Sequence, residues 1–330
     1  MHPVSDPART TRFRLVVPAA ALLLAAGCGG PDLAKSNYQR TTVPPPSQAA
    51  PDAPISDPAV ASAALREAKP CGLLAPDVIG ELGSGGAPEA DGWDKCVVSL
   101  TDAGGKQLRF TLKVGESVAS TVGKDGKVVA GLPAEEAKNS DTVCMVQVLT
   151  SRDPAQGITA LVSYPGGDMC GAARNGLEKV IAKLRGGPEK WDLPKESIGT
   201  VDPCATLDGA VVKNVLGMEP KRGSSGVHEC FWSGRGPTLS VLFRQTDAPT
   251  AGSKKQEVVI EGDVKGFQEA PQREQSECSL SWKQGGADDQ SAEVVTIRYN
   301  NLTEKDVAKD DPCGKVMMVA KGVLAKLATS

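Results

Sequence analysis

The groups in this sequence that could do more than pack are its cysteines and a single useful histidine. Nine cysteines occur in 330 residues. Eight of them form two sets: Cys71, Cys96, Cys144 and Cys170, then Cys204, Cys230, Cys278 and Cys313. Thiols can form bridges, ligate metal or act as redox nucleophiles, and spacing discriminates among these. No Cys-x-x-Cys pair is present, whereas sulfur ligands of zinc usually come as close pairs and a redox thiolate usually has a partner two residues away. An even number of widely and regularly spaced cysteines in an exported chain reads as disulfides. His228, in His228-Glu229-Cys230, is the histidine that remains once a leader is removed, and it is expected at the surface or at a strand edge. The sequence has no Gly-x-Ser-x-Gly elbow, no His-Glu-x-x-His and no phosphate loop. Gly83-Ser84-Gly85-Gly86 is read as a flexible connection. No catalytic residue, metal ligand or cofactor site is therefore assigned.

The elements that must position these cysteines come twice. An offset of about 134 residues lays three of the four cysteines of one set onto the other within a residue, the mark of an internal duplication. Each repeat opens with a helix after a Pro-Cys pair. Leu74, Val78 and Leu82 fall on one helical face in the first, and Leu207, Val211 or Val212, and Leu216 in the second. Strands follow, with strict alternation in Leu108, Phe110, Leu112 and Val114 and in Leu239, Val241 and Phe243. Further strands cover Val143–Leu149 and Ile158–Tyr164, matched by Cys278–Trp282 and Val294–Tyr299. Each repeat ends in a helix, with Leu177, Val180, Ile181 and Leu184 on one stripe and Val316, Ala320, Val323, Leu324 and Leu327 on the other. The expected fold is α+β: two tandem repeats, each an antiparallel sheet flanked by N- and C-terminal helices and stapled by two disulfides.

The simplest pairing ties each terminal helix to its sheet: Cys71–Cys96, Cys144–Cys170, Cys204–Cys230 and Cys278–Cys313. Nested pairing is the runner-up. Each such bridge contributes roughly 3.5 kcal/mol on the chain-entropy model. The second repeat is nine residues longer between its third and fourth cysteines, and the extra residues are expected at about Gly285–Gln290 or Asn300–Asp310.

The ninth cysteine has a different setting. Residues 1–28 carry Arg9, Arg12 and Arg14, then the apolar run from Leu15 to Ala26, and end Leu24-Ala25-Ala26-Gly27-Cys28. This is the layout of a secretory signal, with an apolar run shorter than the roughly 20 residues of a spanning helix. Its end resembles the lipobox of bacterial lipoproteins, a resemblance that implies Cys28 as the lipidated mature N-terminus. Residues 29–69, rich in Pro, Ala, Ser and Asp, read as a disordered tether, able to hold a folded body on the order of 35 Å from a membrane, with a helix expected over its last part, Val60–Lys69, where it meets the first repeat. Formal charge is −3, and loss of the leader makes the chain more acidic. Without a basic cluster, nucleic acid is excluded as a partner.

Pro70-Cys71 with Leu73-Leu74, Asp202-Pro203-Cys204, Cys230-Phe231-Trp232 and Asp311-Pro312-Cys313 together resemble actinobacterial lipoproteins of the domain-of-unknown-function 3558 family, once per repeat. The resemblance implies anchoring and disulfides and carries no catalytic residues. The organisation expected is a leader (1–28), tether (29–69), first repeat (70–185), linker (186–200) and second repeat (201–330). The expected role is a non-enzymatic, lipid-anchored binding protein on the extracytoplasmic face of the cell membrane. Its partner would be an envelope protein or a small apolar ligand, with the cleft between the repeats as a natural ligand site. The alternative is a cell-envelope enzyme, thiol-redox or hydrolase, using one of the cysteines or His228.

Overall fold

The computed structural model describes residues 54–223, 225–269, 276–304 and 306–329. The leader, Cys28 and the tether as far as residue 53 lie outside the described residues.

The first half contains β1 (Ser84–Gly85), β2 (Glu89–Ala90), β3 (Lys95–Thr101), β4 (Gln107–Ser117), β5 (Val128–Val129), β6 (Leu132–Lys138), β7 (Val143–Arg152) and β8 (Ala155–Ser163). The second contains β9 (Lys221–Arg222), β10 (Glu229–Ser233), β11 (Pro237–Thr246), β12 (Lys255–Glu261), β13 (Val264–Glu269), β14 (Ser276–Gly286) and β15 (Ala292–Asn301). The order β1-β3-β4-β8-β7-β6-β5, with β2 also on β3, is matched by β9-β10-β11-β15-β14-β13-β12, all antiparallel. The two halves thus share one topology, as a duplication requires.

Alternation in the strands decides which face is covered. In β4 the side chains of Leu108, Phe110, Leu112 and Val114 are buried, while Gln107 and Arg109 are exposed. A long helix covers the apolar face of each sheet: α3 (Met169–Arg185) over β7 and β8, and α6 (Pro312–Leu327) over β14 and β15. Asp168 and Asp311 cap these helices by accepting from Gly171 N and Gly314 N, so each helix starts on a satisfied N–H.

The opening helices are less regular than their apolar spacing predicts. Ahead of them, α1 (Ser62–Glu67) forms where the last part of the tether is expected to be helical. Pro70–Leu74 is a 3-10 turn, α2 (Pro76–Ile79) follows, and Gly80–Leu82 is a second 3-10 turn. Pro76 holds Ala75 extended, at φ −63° and ψ 154°, which breaks the continuous helix implied by Leu74, Val78 and Leu82. In the second half, Pro203–Thr206 is a turn, Leu207 is extended, and Asp208 caps α4 (Gly209–Leu216). A short α5 (Val307–Asp310) precedes α6.

Four disulfides join Cys71–Cys96, Cys144–Cys170, Cys204–Cys230 and Cys278–Cys313. Each ties a terminal turn or helix start to a strand. The longer second half divides its insertion between both expected places. The β7–β8 hairpin closes tightly at Arg152–Ala155, while β14–β15 closes at Gly286–Ala292, and further residues lie between β15 and α6.

Two expected boundaries shift. Residues 57–68 were assigned to the tether, yet Val60, Leu65 and Ala68 are buried in the first core. Asp57 pairs with Arg185 at 2.8 Å, and Lys69 N and Trp191 N donate to Glu189 O and Glu67 O. The segment assigned to the linker is also packed: Ser197 Oγ and Ile198 N donate to Glu293 of β15 at 2.5 and 2.9 Å. Both segments bury large aliphatic residues, Val60 and Leu65 in the first and Ile198 in the second.

Candidate cleft between the repeats

The joint between the halves is built from two loops at equivalent places. Gly92-Trp93-Asp94-Lys95-Cys96 and Gly226-Val227-His228-Glu229-Cys230 each lead into the strand that carries the second cysteine of their repeat. Within each half the loop is tied to its own sheet by the same bond, Val114 N to Asp94 O at 2.8 Å and Phe243 N to His228 O at 2.9 Å. The residue between is exchanged. Trp93 is buried in the core of the second half, and Val227 in the core of the first.

The sequence permits this at named positions. Val227 N donates to Gly115 O at 2.7 Å. Gly115 has φ +69°, and a Cβ on it would fall 2.6 Å from Val227 Cγ1, so a glycine is required on both counts. Its partner on the other side is Gly92, φ +74°, whose missing Cβ leaves the loop close to Gln245 O. Arg66 of α1 closes the joint: its Nε donates to Val227 O at 2.9 Å, and its Nη2 lies 3.6 Å from Asp202. Trp191 Nε1 donates to Trp93 O at 3.2 Å.

Between these loops and the strands they cross lies a cleft of about 430 Å³, bounded by the two loops, the end of β4 and the end of β11. His228, expected at a surface or strand edge, stands at the edge of β10 but is buried, at 6% exposure. Its ring centroid is 5.4 Å from that of Trp93, with the planes at 42°. Among the described residues, neither His228 Nδ1 nor Trp93 Nε1 has a hydrogen-bond partner. Burial, reinforced by the Arg66 guanidinium, pushes the His228 pKa down to about 3. The imidazole is therefore neutral at physiological pH, and its uncompensated nitrogen carries a desolvation cost.

The charges of the cleft fall into two groups. Lys95 pairs with Asp91, and Lys113 with Glu116. Asp94, Glu229 and Arg244 are in no ion pair among the described residues, although the Arg244 charge acts on both carboxylates. Glu229 faces Leu242 across the β10–β11 ladder, which makes Arg244 its diagonal neighbour on the same face. Asp94 keeps solvent-exposed area yet is crowded by protein on the cleft side, and this desolvation raises its pKa, with its own backbone N–H and Arg244 opposing. Desolvation raises that of Glu229 too, against Arg244 and Arg298.

Of the residues singled out from sequence, the structure brings His228 to the cleft and places the eight cysteines in staples outside it. Trp93, Asp94, Glu229 and Arg244 were missed. The signal that could have found them is the repeated Gly-x-x-x-Cys at Gly92–Cys96 and Gly226–Cys230.

Among the described residues, no helix is long and apolar enough to cross a membrane. Four bridges fit an oxidising, extracytoplasmic compartment. No family model matches the chain, and no curated protein matches it. Among solved structures, DynU16, from the dynemicin biosynthetic locus, matches at 11% identity over 83% of this chain and 95% of that chain, with a TM-score of 0.17. A superposition that loose adds nothing to the fold or to the cleft.

Proposed function

We propose that the chain is a non-enzymatic binding protein of the bacterial cell envelope, lipid-anchored through Cys28, whose ligand occupies the cleft between its two repeats. The observation that carries this reading is the pairing of a buried, unpartnered His228 Nδ1 with unpaired charges of both signs in one concavity. Stability alone would favour an apolar or fully paired joint there. The volume is in the range of small-molecule sites, and the polar lining favours a small polar ligand over the apolar one first expected. The staples maintain the two halves outside the cell, and the exchanged loops fix the cleft between them.

Two measurements test the reading. Native mass spectrometry of protein purified from its own envelope should detect a small co-purifying molecule that is lost in Arg244→Gln. Retention of the same adduct in that variant would place the ligand elsewhere. For the anchor, Cys28→Ser should release the protein into the medium; a variant still held in the membrane fraction contradicts lipidation at Cys28.

A further inference from the structure

The unpaired groups of the cleft restrict what can fill it, given that the cleft is the ligand site. Asp94 comes from the first half and Glu229 and Arg244 from the second, so the site is complete only where the halves meet. The Arg244 guanidinium acts on each of the two carboxylates, yet none of the three closes into an ion pair among the described residues. Arg298, also without an ion-pair partner among the described residues, stands two residues along β15 from Thr296, which faces Leu242 and hence lies in line with Glu229. A ligand carrying only a cation would leave the guanidinium facing water, and one carrying only an anion would meet the two carboxylates. A ligand with a charge of each sign satisfies both, because charge-assisted hydrogen bonds to a guanidinium and to a carboxylate are the strongest available at such a site. His228 also lines the cleft, and its buried Nδ1 has no hydrogen-bond partner among the described residues.

We infer that the cleft binds a small zwitterion of the amino-acid or short-peptide class, with its carboxylate on Arg244 and its ammonium between Asp94 and Glu229. The cavity of about 430 Å³ admits a molecule of dipeptide size and excludes a long chain bound along its whole length. The ladder between β10 and β11 fixes Glu229 relative to Arg244, and the Val227–Gly115 hydrogen bond fixes Asp94 relative to both.

The test uses isothermal titration calorimetry on the full, oxidised chain. The probes are L-alanyl-L-alanine, its N-acetyl derivative, its C-terminal amide and a set of free L-amino acids. The two derivatives keep the shape of the dipeptide and each removes one charge. A zwitterionic probe should bind, and each derivative should bind at least about tenfold more weakly, the usual scale of one charge-assisted contact. In Arg244→Gln, the dipeptide should bind no better than its amide. In Asp94→Asn with Glu229→Gln, it should bind no better than its N-acetyl derivative. Arg244 and Asp94 are exposed, and unchanged far-UV circular dichroism would show that the variants fold.

Equal binding of dipeptide and derivatives, or equal binding by native protein and variants, overturns the zwitterion assignment. So does the absence of binding by every zwitterion. The cleft reading itself is separate: it survives if a singly charged derivative binds and Trp93→Phe weakens that binding. It fails with the zwitterion assignment if probes bind with no sensitivity to any of Trp93, Asp94, Glu229 or Arg244.

Discussion

Trp93 and Val227 stand at equivalent positions, each three residues before the second cysteine of its repeat, and each is buried in the core of the opposite half. The duplication therefore yields two halves that complete one another, and their loops cross over at the joint where the cleft is assembled. Burial of one large and one medium apolar side chain, together roughly 4 kcal/mol, holds the crossing.

The crossing depends on Gly115. Gly115→Ala would strain a backbone at φ +69° and press a methyl within 2.6 Å of Val227. A loss of about 2–3 kcal/mol in urea unfolding is expected. Gly131→Ala is the control: its φ is +81° with nothing within 4 Å, so about 1 kcal/mol of backbone strain alone should appear. Equal losses at both sites would mean that Val227 does not depend on Gly115.

The His228 imidazole makes stability pH-dependent. Its pKa is about 3 in the folded protein, against an ordinary value of 6.5. Between those values the unfolded chain binds the proton and the folded chain does not, so stability falls as pH falls from about 6.5 toward about 3. The limiting slope is about 1.4 kcal/mol per pH unit for one group. Asp94 and Glu229, whose pKa values burial raises, act in the opposite sense. The difference between native protein and His228→Leu isolates the histidine. Urea midpoints from pH 6.5 to 4 should converge for the two proteins as pH falls if His228→Leu starts less stable, and diverge with the variant the more stable if it starts equal. Parallel pH profiles would show that the imidazole is not buried neutral.

The four staples are not equivalent toward reduction. Arg222 Nη2 donates to Cys204 Sγ at 2.7 Å, and Cys204 is half-buried, whereas Cys144 and Cys170 are both buried. A guanidinium beside sulfur stabilises a thiolate and eases attack by one. Under a limiting dithiol, Cys204–Cys230 should be reduced first and Cys144–Cys170 last, as read by differential alkylation and mass spectrometry. Arg222→Gln should slow reduction of the first bridge several-fold. The reverse order would contradict this.

The folded body begins before the first staple. A chain starting at Pro54 keeps Val60, Leu65 and Ala68 in the core and Asp57 on Arg185. One starting at Pro70 loses all of these, for an expected cost of about 4 kcal/mol. Thermal unfolding separates the two, and equal midpoints would show that residues 57–68 contribute nothing.

Much of this architecture is legible in the sequence because it is local. The alternation of Leu108 to Val114 gives β4, the Asp-Pro-Cys of Asp311 to Cys313 gives the start of α6, and the cysteine offset gives the duplication. What fails locally does so for local reasons: the spacing of Leu74, Val78 and Leu82 signals one helix, but Pro76 overrides it. The helix expected over Val60–Lys69 forms as α1, but its burial in the first core was not legible, because six residues are too brief to show an apolar period. The cleft was legible only as an expectation. Trp93, His228 and Arg244 are far apart in sequence, each residue type is ambiguous alone, and only the crossing of the loops makes them neighbours.

The central claim is that the exchanged loops frame a ligand site. Its most direct test is the nuclear magnetic resonance spectrum of the oxidised protein, observed at the Trp93 indole N–H and the His228 imidazole while L-alanyl-L-alanine and the free amino acids are titrated. The account predicts saturable shifts at both groups and at the Gly92–Lys95 and Gly226–Glu229 backbone amides, with no change in a second concavity, away from the loops, lined by Leu207, Val211, Gly322 and Lys326. Shifts confined to that concavity, or none at the two loops, would contradict it.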